Sequence, residues 1–106
     1  VIENADAAIA EAAKQAGAIV SDYTAAPIYL EVGSRGAHEW LIECAEGPAD
    51  AALFCRVLDQ TLQRLNTDYE AKRTSDIALT PPVVHFVPRG TFMGWMAQRG
   101  KLGGQN

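Results

Sequence analysis

Cysteine is scarce in this chain: Cys44 and Cys55 are the only two in 106 residues. Two cysteines without a metal-ligand spacing exclude a disulfide scaffold and read as buried, inert, reduced thiols in a cytosolic setting. Long hydrophobic runs are missing as well. No stretch approaches the roughly 18 apolar residues of a membrane span, and no signal peptide is visible, so no membrane partner is expected. Excess positive charge is the third absence. Nine lysines and arginines face thirteen acidic residues, for a net charge of −4. Nucleic-acid binding rests on neutralising phosphates with a basic excess, so that class is set aside. Internal repeats, low-complexity segments, a Ser-His-Asp constellation and a phosphate-binding glycine loop are all lacking. The chain begins on Val1 rather than methionine, which suggests a cut front edge.

What is present is ordinary for a soluble domain: 48% hydrophobic and 21% charged residues. The length fits one domain spanning 1–106 with a modest core. "NADAAIAEAAKQAG" predicts a helix, capped by Asn4 or Asp6 and ended by Gly17. Its apolar face is an alanine stripe, which lets a helix lie close to a sheet. Ile19, Val20, Tyr23 and Thr24 predict a strand. Pro27 cannot donate to a sheet ladder, so it belongs at an edge, a bend or a strand end. After turn residues in "VGSRG", the segment "AHEWLIECAE" alternates. His38, Trp40, Ile42 and Cys44 share one face of a half-buried strand, antiparallel to the first, while Glu39 and Glu43 face solvent.

Pro48 and Asp50 suit the start of the next helix. Leu53, Phe54, Val57, Leu58, Thr61, Leu62 and Leu65 form its apolar stripe. A short helix follows from Thr67 or Asp68 as cap, then a strand from Val83 to Val87, then a helix capped by Thr91 with Phe92, Trp95 and Met96 at i, i+3 and i+4. The order α-β-β-α-α-β-α predicts an α+β fold: a small mixed or antiparallel sheet of about three strands or more, with helices packed on it.

Few residues look catalytic in isolation. His38 and His85 read as satisfied core or edge histidines, with no cluster to complete a metal site. Trp40, Phe92 and Trp95 read as core. Tyr69 and Arg73 lie four apart on one helical face, and Arg73 can grip a carboxylate or phosphate with two hydrogen bonds; pairing with a neighbouring acid is the plainer reading. The closing "RGKLGGQN" reads as a polar loop whose glycines permit close approach to a ligand, with Lys101 as a mobile charge and Gln105 as donor and acceptor. The plainer reading there is a frayed tail.

Four elements in register carry a resemblance: Asp22-Tyr23-Thr24; Asn66, Tyr69 and Arg73; Gly90-Thr91-Phe92; and the run Arg99, Gly100, Gln105. Over about residues 20 to 106 the chain resembles the C-terminal domain of the Gretchen-Hagen-three family, the auxin-responsive acyl-acid amido synthetases. "EWLIE" and "GKLGGQ" resemble the bacterial branch. The family is related to the adenylate-forming acyl-CoA ligase and luciferase superfamily.

The resemblance implies that this is the small, C-terminal lobe of a larger two-lobe cytoplasmic enzyme, cut just before the family's closing Lys-x-Pro-Arg. Such a ligase activates a carboxylic acid as an acyl-adenylate and then conjugates it to an amine such as an amino acid. It implies ATP with Mg, bound mainly by the large N-terminal lobe, and small carboxylic acid and amino acid substrates. By the same resemblance, Lys101 is the candidate catalytic residue, and Gly103, Gly104 and Gln105 are candidates for nucleotide contact. Asp22, Tyr69 and Arg73 are candidates for the lobe interface or for bracing. The fragment alone is expected to be inactive. Two alternatives remain: a non-catalytic ligand-binding or interaction module, and the lobe of a thioester-forming CoA ligase.

Overall fold

A computed structural model describes residues 3–29, 35–74 and 78–102. Seven elements follow one another: α1 (Ala5–Ala16), β1 (Ile19–Tyr29), β2 (Gly36–Glu46), α2 (Ala51–Leu65), α3 (Thr67–Arg73), β3 (Val83–Pro88) and α4 (Thr91–Leu102). The fold is α+β in the predicted order. The sheet is mixed, with strand order β1-β2-β3. β1 and β2 pair antiparallel, whereas β3 runs parallel to β2. A parallel neighbour needs a crossover, and α2 with α3 supplies it.

One face of the sheet makes the core. Trp40 and Ile42 from β2 pack with Ala8 and Ala12 of α1 and with Phe54, Leu58 and Leu62 of α2, all fully buried. Each large side chain buried there contributes about 1.5–3 kcal/mol relative to exposure. The alanine stripe of α1 is what lets that helix sit close. Tyr23 of β1 and Phe86 of β3 extend the layer, Tyr23 tilted on Trp40 at 5.9 Å and Phe86 edge-on to Phe54 at 5.1 Å. Gly17 ends α1 at φ 75°, a left-handed position suited to glycine.

Local details depart from the sequence expectations. Asn4 precedes α1 without a side-chain cap bond. Asp50 caps α2 by accepting from the Leu53 N–H, so Pro48 lies ahead of the first turn rather than in it. α3 is capped by Asn66, whose side chain accepts from the Tyr69 N–H, not by Thr67 or Asp68. Pro27 lies within β1, an edge strand. Trp95 is 44% exposed and is not core. The tail expected to loop from Gly100 continues as helix to Leu102.

Candidate functional site

The sheet face opposite α1 and α2 carries the second feature of the molecule. β1 contains a bulge at its start: Val20 pairs with Cys44 and Asp22 with Glu43, so Ser21 and Asp22 together oppose one residue. After β3, Gly90 turns the chain at φ 91° and α4 begins. This brings α4 beside β1. Asp22, Tyr23 and Thr24 then line a groove of about 270 Å³ with Phe92, Trp95, Met96 and Arg99. Phe92 and Trp95 lean on each other at 5.5 Å. The groove is apolar along the helix, with an acid and a base at its rim. Lys101 lies two residues further along α4. Its side chain, together with Gly103, Gly104 and Gln105, lies outside the described residues.

Glu43 joins α4 to the sheet. It is 7% exposed, whereas the alternation of β2 predicts a solvated glutamate. The alternation assigned it the correct face but could not show that α4 covers that face. Its carboxylate accepts from the Phe92 N–H at 2.9 Å and from the Ser21 hydroxyl at 2.7 Å. Those two bonds, with the Gly90 and Thr91 N–H groups, hold its carboxyl below the ordinary value against the opposing effect of burial. A carboxylate at a helix N-terminus also meets the positive end of the dipole. Glu39, on the same strand face, pairs with His85 at 2.9 Å.

The other sequence candidates gather elsewhere. Tyr69 and Arg73 converge on Asp59 of α2. Arg73 grips both carboxylate oxygens, Nε to Oδ1 at 2.9 Å and Nη2 to Oδ2 at 2.8 Å, and its Nη1 donates to the Leu79 carbonyl at 3.3 Å. The Tyr69 hydroxyl donates to Oδ1 at 2.7 Å, and Gln63 to Oδ2 at 3.2 Å. Burial pushes the Asp59 carboxyl up, but the hydrogen bonds and charge of Arg73, with Tyr69 and Gln63, leave it below its ordinary value. Burial and the bond to Asp59 push the Tyr69 phenol far up. Asp59 was missed by sequence reasoning because an acid beside an apolar stripe reads as a solvated position.

Beside this cluster, His38, Asn66, Asp68, Tyr69, Lys72, Leu79 and Glu3 line a pocket of about 390 Å³. The His38 ring stacks on Tyr69 at 6.1 Å. Its Nδ1 is buried without a hydrogen-bond partner among the described residues, where a satisfied histidine was expected. Burial first, then the Lys72 charge, lowers its pKa. Cys44 is buried and Cys55 half-buried, and burial raises both thiols. Among the described residues no three His, Cys, Asp or Glu side chains could together hold a metal ion, and no helix is long and apolar enough to cross a membrane.

The sequence pattern of the GH3 family C-terminal domain matches residues 3–106. The chain belongs to this family. No curated protein matches it. Of the four elements that carry the resemblance, the Asp22 to Thr24 stretch, Phe92 and Arg99 meet in the α4 groove, while Asn66, Tyr69 and Arg73 meet around the helix layer. As a GH3 C-terminal domain, the chain fits a lobe of an acyl-acid amido synthetase.

Proposed function

We propose that this domain is the small lobe of an ATP-dependent, adenylate-forming acyl-acid amido synthetase of bacterial type, acting in the cytoplasm. It would serve a two-step reaction, in which a carboxylic acid is activated as an acyl-adenylate and the acyl group then passes to an amine such as an amino acid. One observation carries the reading: the Asp22 to Thr24 element of β1 meets, across one groove, the helix that bears two further family elements, Phe92 and Arg99, together with Lys101. The large lobe of the same protein is the partner.

Bound with Mg, mainly by that lobe, ATP supplies the adenylyl group and the pyrophosphate leaving group. The described residues offer no cluster for the metal, but the end of α4 offers charge of the right sign. Arg99 and Lys101 would balance negative charge as it redistributes over the phosphates. Gly103, Gly104 and Gln105 would extend this contact. Phe92, Trp95 and Met96 form an apolar cover able to keep water from the activated acyl carbon. A lobe that swings would present this surface to one step and withdraw it for the other. Asp22 sits at the rim, where a lobe interface would form. Tyr69 and Arg73 brace the helix layer and touch no substrate. No residue here is assigned as a general base.

The test is ATP–pyrophosphate exchange by the two-lobe enzyme across aryl, indolyl and fatty acids, followed by acyl transfer with amino acids or coenzyme A. Exchange with one acid class and transfer to an amino acid is the expected result. Lys101→Ala should slow one half-reaction more than the other. Absence of exchange with every acid overturns the reading, and transfer to coenzyme A alone replaces it with the thioester-forming one. A non-catalytic binding module is the second reading; the polar pocket around His38 and Lys72, apart from the α4 groove, is the observation that favours it.

A further inference from the structure

We propose that Glu43 is the positioning residue that fixes α4, and with it Arg99 and Lys101, against the sheet. This rests on the functional reading above only for its effect on catalysis; the mechanical part stands on geometry. α4 has twelve residues, which gives a length of roughly 18 Å. Its first turn is held by the Glu43 carboxylate, which accepts from the Phe92 N–H at 2.9 Å. Further along, Met93 and Met96 are 77% and 70% exposed. The helix is therefore anchored at its N-terminus and lightly covered at Met93 and Met96. A small rotation there is magnified ten residues on, roughly 15 Å away, at Lys101.

The anchor is itself oriented. The bulge in β1 places Ser21 so that its hydroxyl donates to Glu43 Oε1 at 2.7 Å, fixing one oxygen while the other faces the helix. Thr91 adds a short tie within the turn, its hydroxyl donating to the Pro88 carbonyl at 2.6 Å. That bond shapes the turn but does not reach β2. Among the described residues, Glu43 is the one that links the central strand to the α4 backbone through a charge-assisted bond. Glutamine at this position keeps the size of the side chain but removes the charge and half of the acceptor capacity.

Amide hydrogen exchange on the 106-residue chain, comparing wild type with Glu43→Gln and Ser21→Ala, tests the tether directly. Glu43→Gln should accelerate exchange of the amides from Met93 to Arg99 by about tenfold or more while α2 amides stay protected. Ser21→Ala should give a smaller change in the same amides. Unchanged α4 exchange in Glu43→Gln overturns the proposal. Loss of α2 protection also overturns it, because Glu43 would then hold the core rather than position a helix.

In the two-lobe enzyme, Glu43→Gln should lower kcat of the half-reaction that Lys101→Ala slows, with KM for the carboxylic acid unchanged. A rise in that KM with kcat intact contradicts positioning of Arg99 and Lys101. If wild type lacks exchange activity altogether, the synthetase reading fails while the amide-exchange result still decides the tether.

Discussion

The two faces of the sheet use buried acids in opposite ways. On the helix-covered face, Asp59 is surrounded by side chains: Arg73 with two bonds, then Tyr69 and Gln63. These contacts tie α2 to α3, and the Arg73 bond to the Leu79 carbonyl extends the tie to the segment leading into β3. On the face beneath α4, Glu43 accepts from one backbone N–H, that of Phe92 in the first turn of the helix, and from the Ser21 hydroxyl. The Asp59 arrangement is closed at every corner and can only be broken. The Glu43 arrangement holds the first turn of an element whose next turns are exposed at Met93 and Met96. Local opening free energies vary widely within one fold, and this contrast places the low end at α4.

The sharpest way to break that contrast is Arg73→Ala. It strands Asp59 without its cation in a largely buried site, for an expected loss of about 3–5 kcal/mol. Urea unfolding checks this; a loss below about 1 kcal/mol would equate Arg73 with a surface arginine. A smaller effect comes from acid. The folded Asp59 carboxyl lies below its ordinary value, so its contribution is complete above the unfolded-chain value of about 4. It is lost as pH falls through the folded value. Asp59→Asn should therefore flatten the acid limb of the stability curve, measured as the urea midpoint from neutral pH downward.

His38→Phe removes the orphaned Nδ1 while keeping a ring against Tyr69. It should raise stability by about 1 kcal/mol at pH 7. It should also remove the His38 share of the decline expected of wild type as pH drops below about 6.5, where the unfolded histidine takes up a proton first. Thermal melts at both pH values report this. Smallest of all is Trp95→Ala, on the open face. Its expected cost in stability is within about 0.5 kcal/mol, and a loss several times larger would mean that α4 belongs to the core.

The covered face was the more legible half of the molecule. The stripe from Leu53 to Leu62 and the alternation through Trp40 and Ile42 are short-range patterns, and they suffice for element type and order. The α3 cap was read one or two residues late, because Asn66, Thr67 and Asp68 are all acceptable caps and only the backbone decides among them. Glu43 and Asp59 were opaque for a different reason. Their partners lie 49 and 14 residues away, beyond the reach of any periodicity. α4 was expected to give way to a loop because Gly100 and the glycines after it are poor helix formers. The helix nevertheless runs through Gly94 and Gly100. The α4 groove was not legible: Phe92 and Arg99 share a helix face by their seven-residue spacing, but nothing in the sequence brings Asp22, some seventy residues earlier, beside them.

The strand order has a consequence for the molecule in crowded solution. With β2 in the middle, β1 and β3 each leave a flank without a sheet neighbour among the described residues. Such flanks invite another chain to add a strand. Pro27 lies inside β1, and Pro88 is the last residue of the six-residue β3. A proline offers no N–H to an incoming strand, so Pro27 weakens the β1 flank as a template, and β3 offers only a short one.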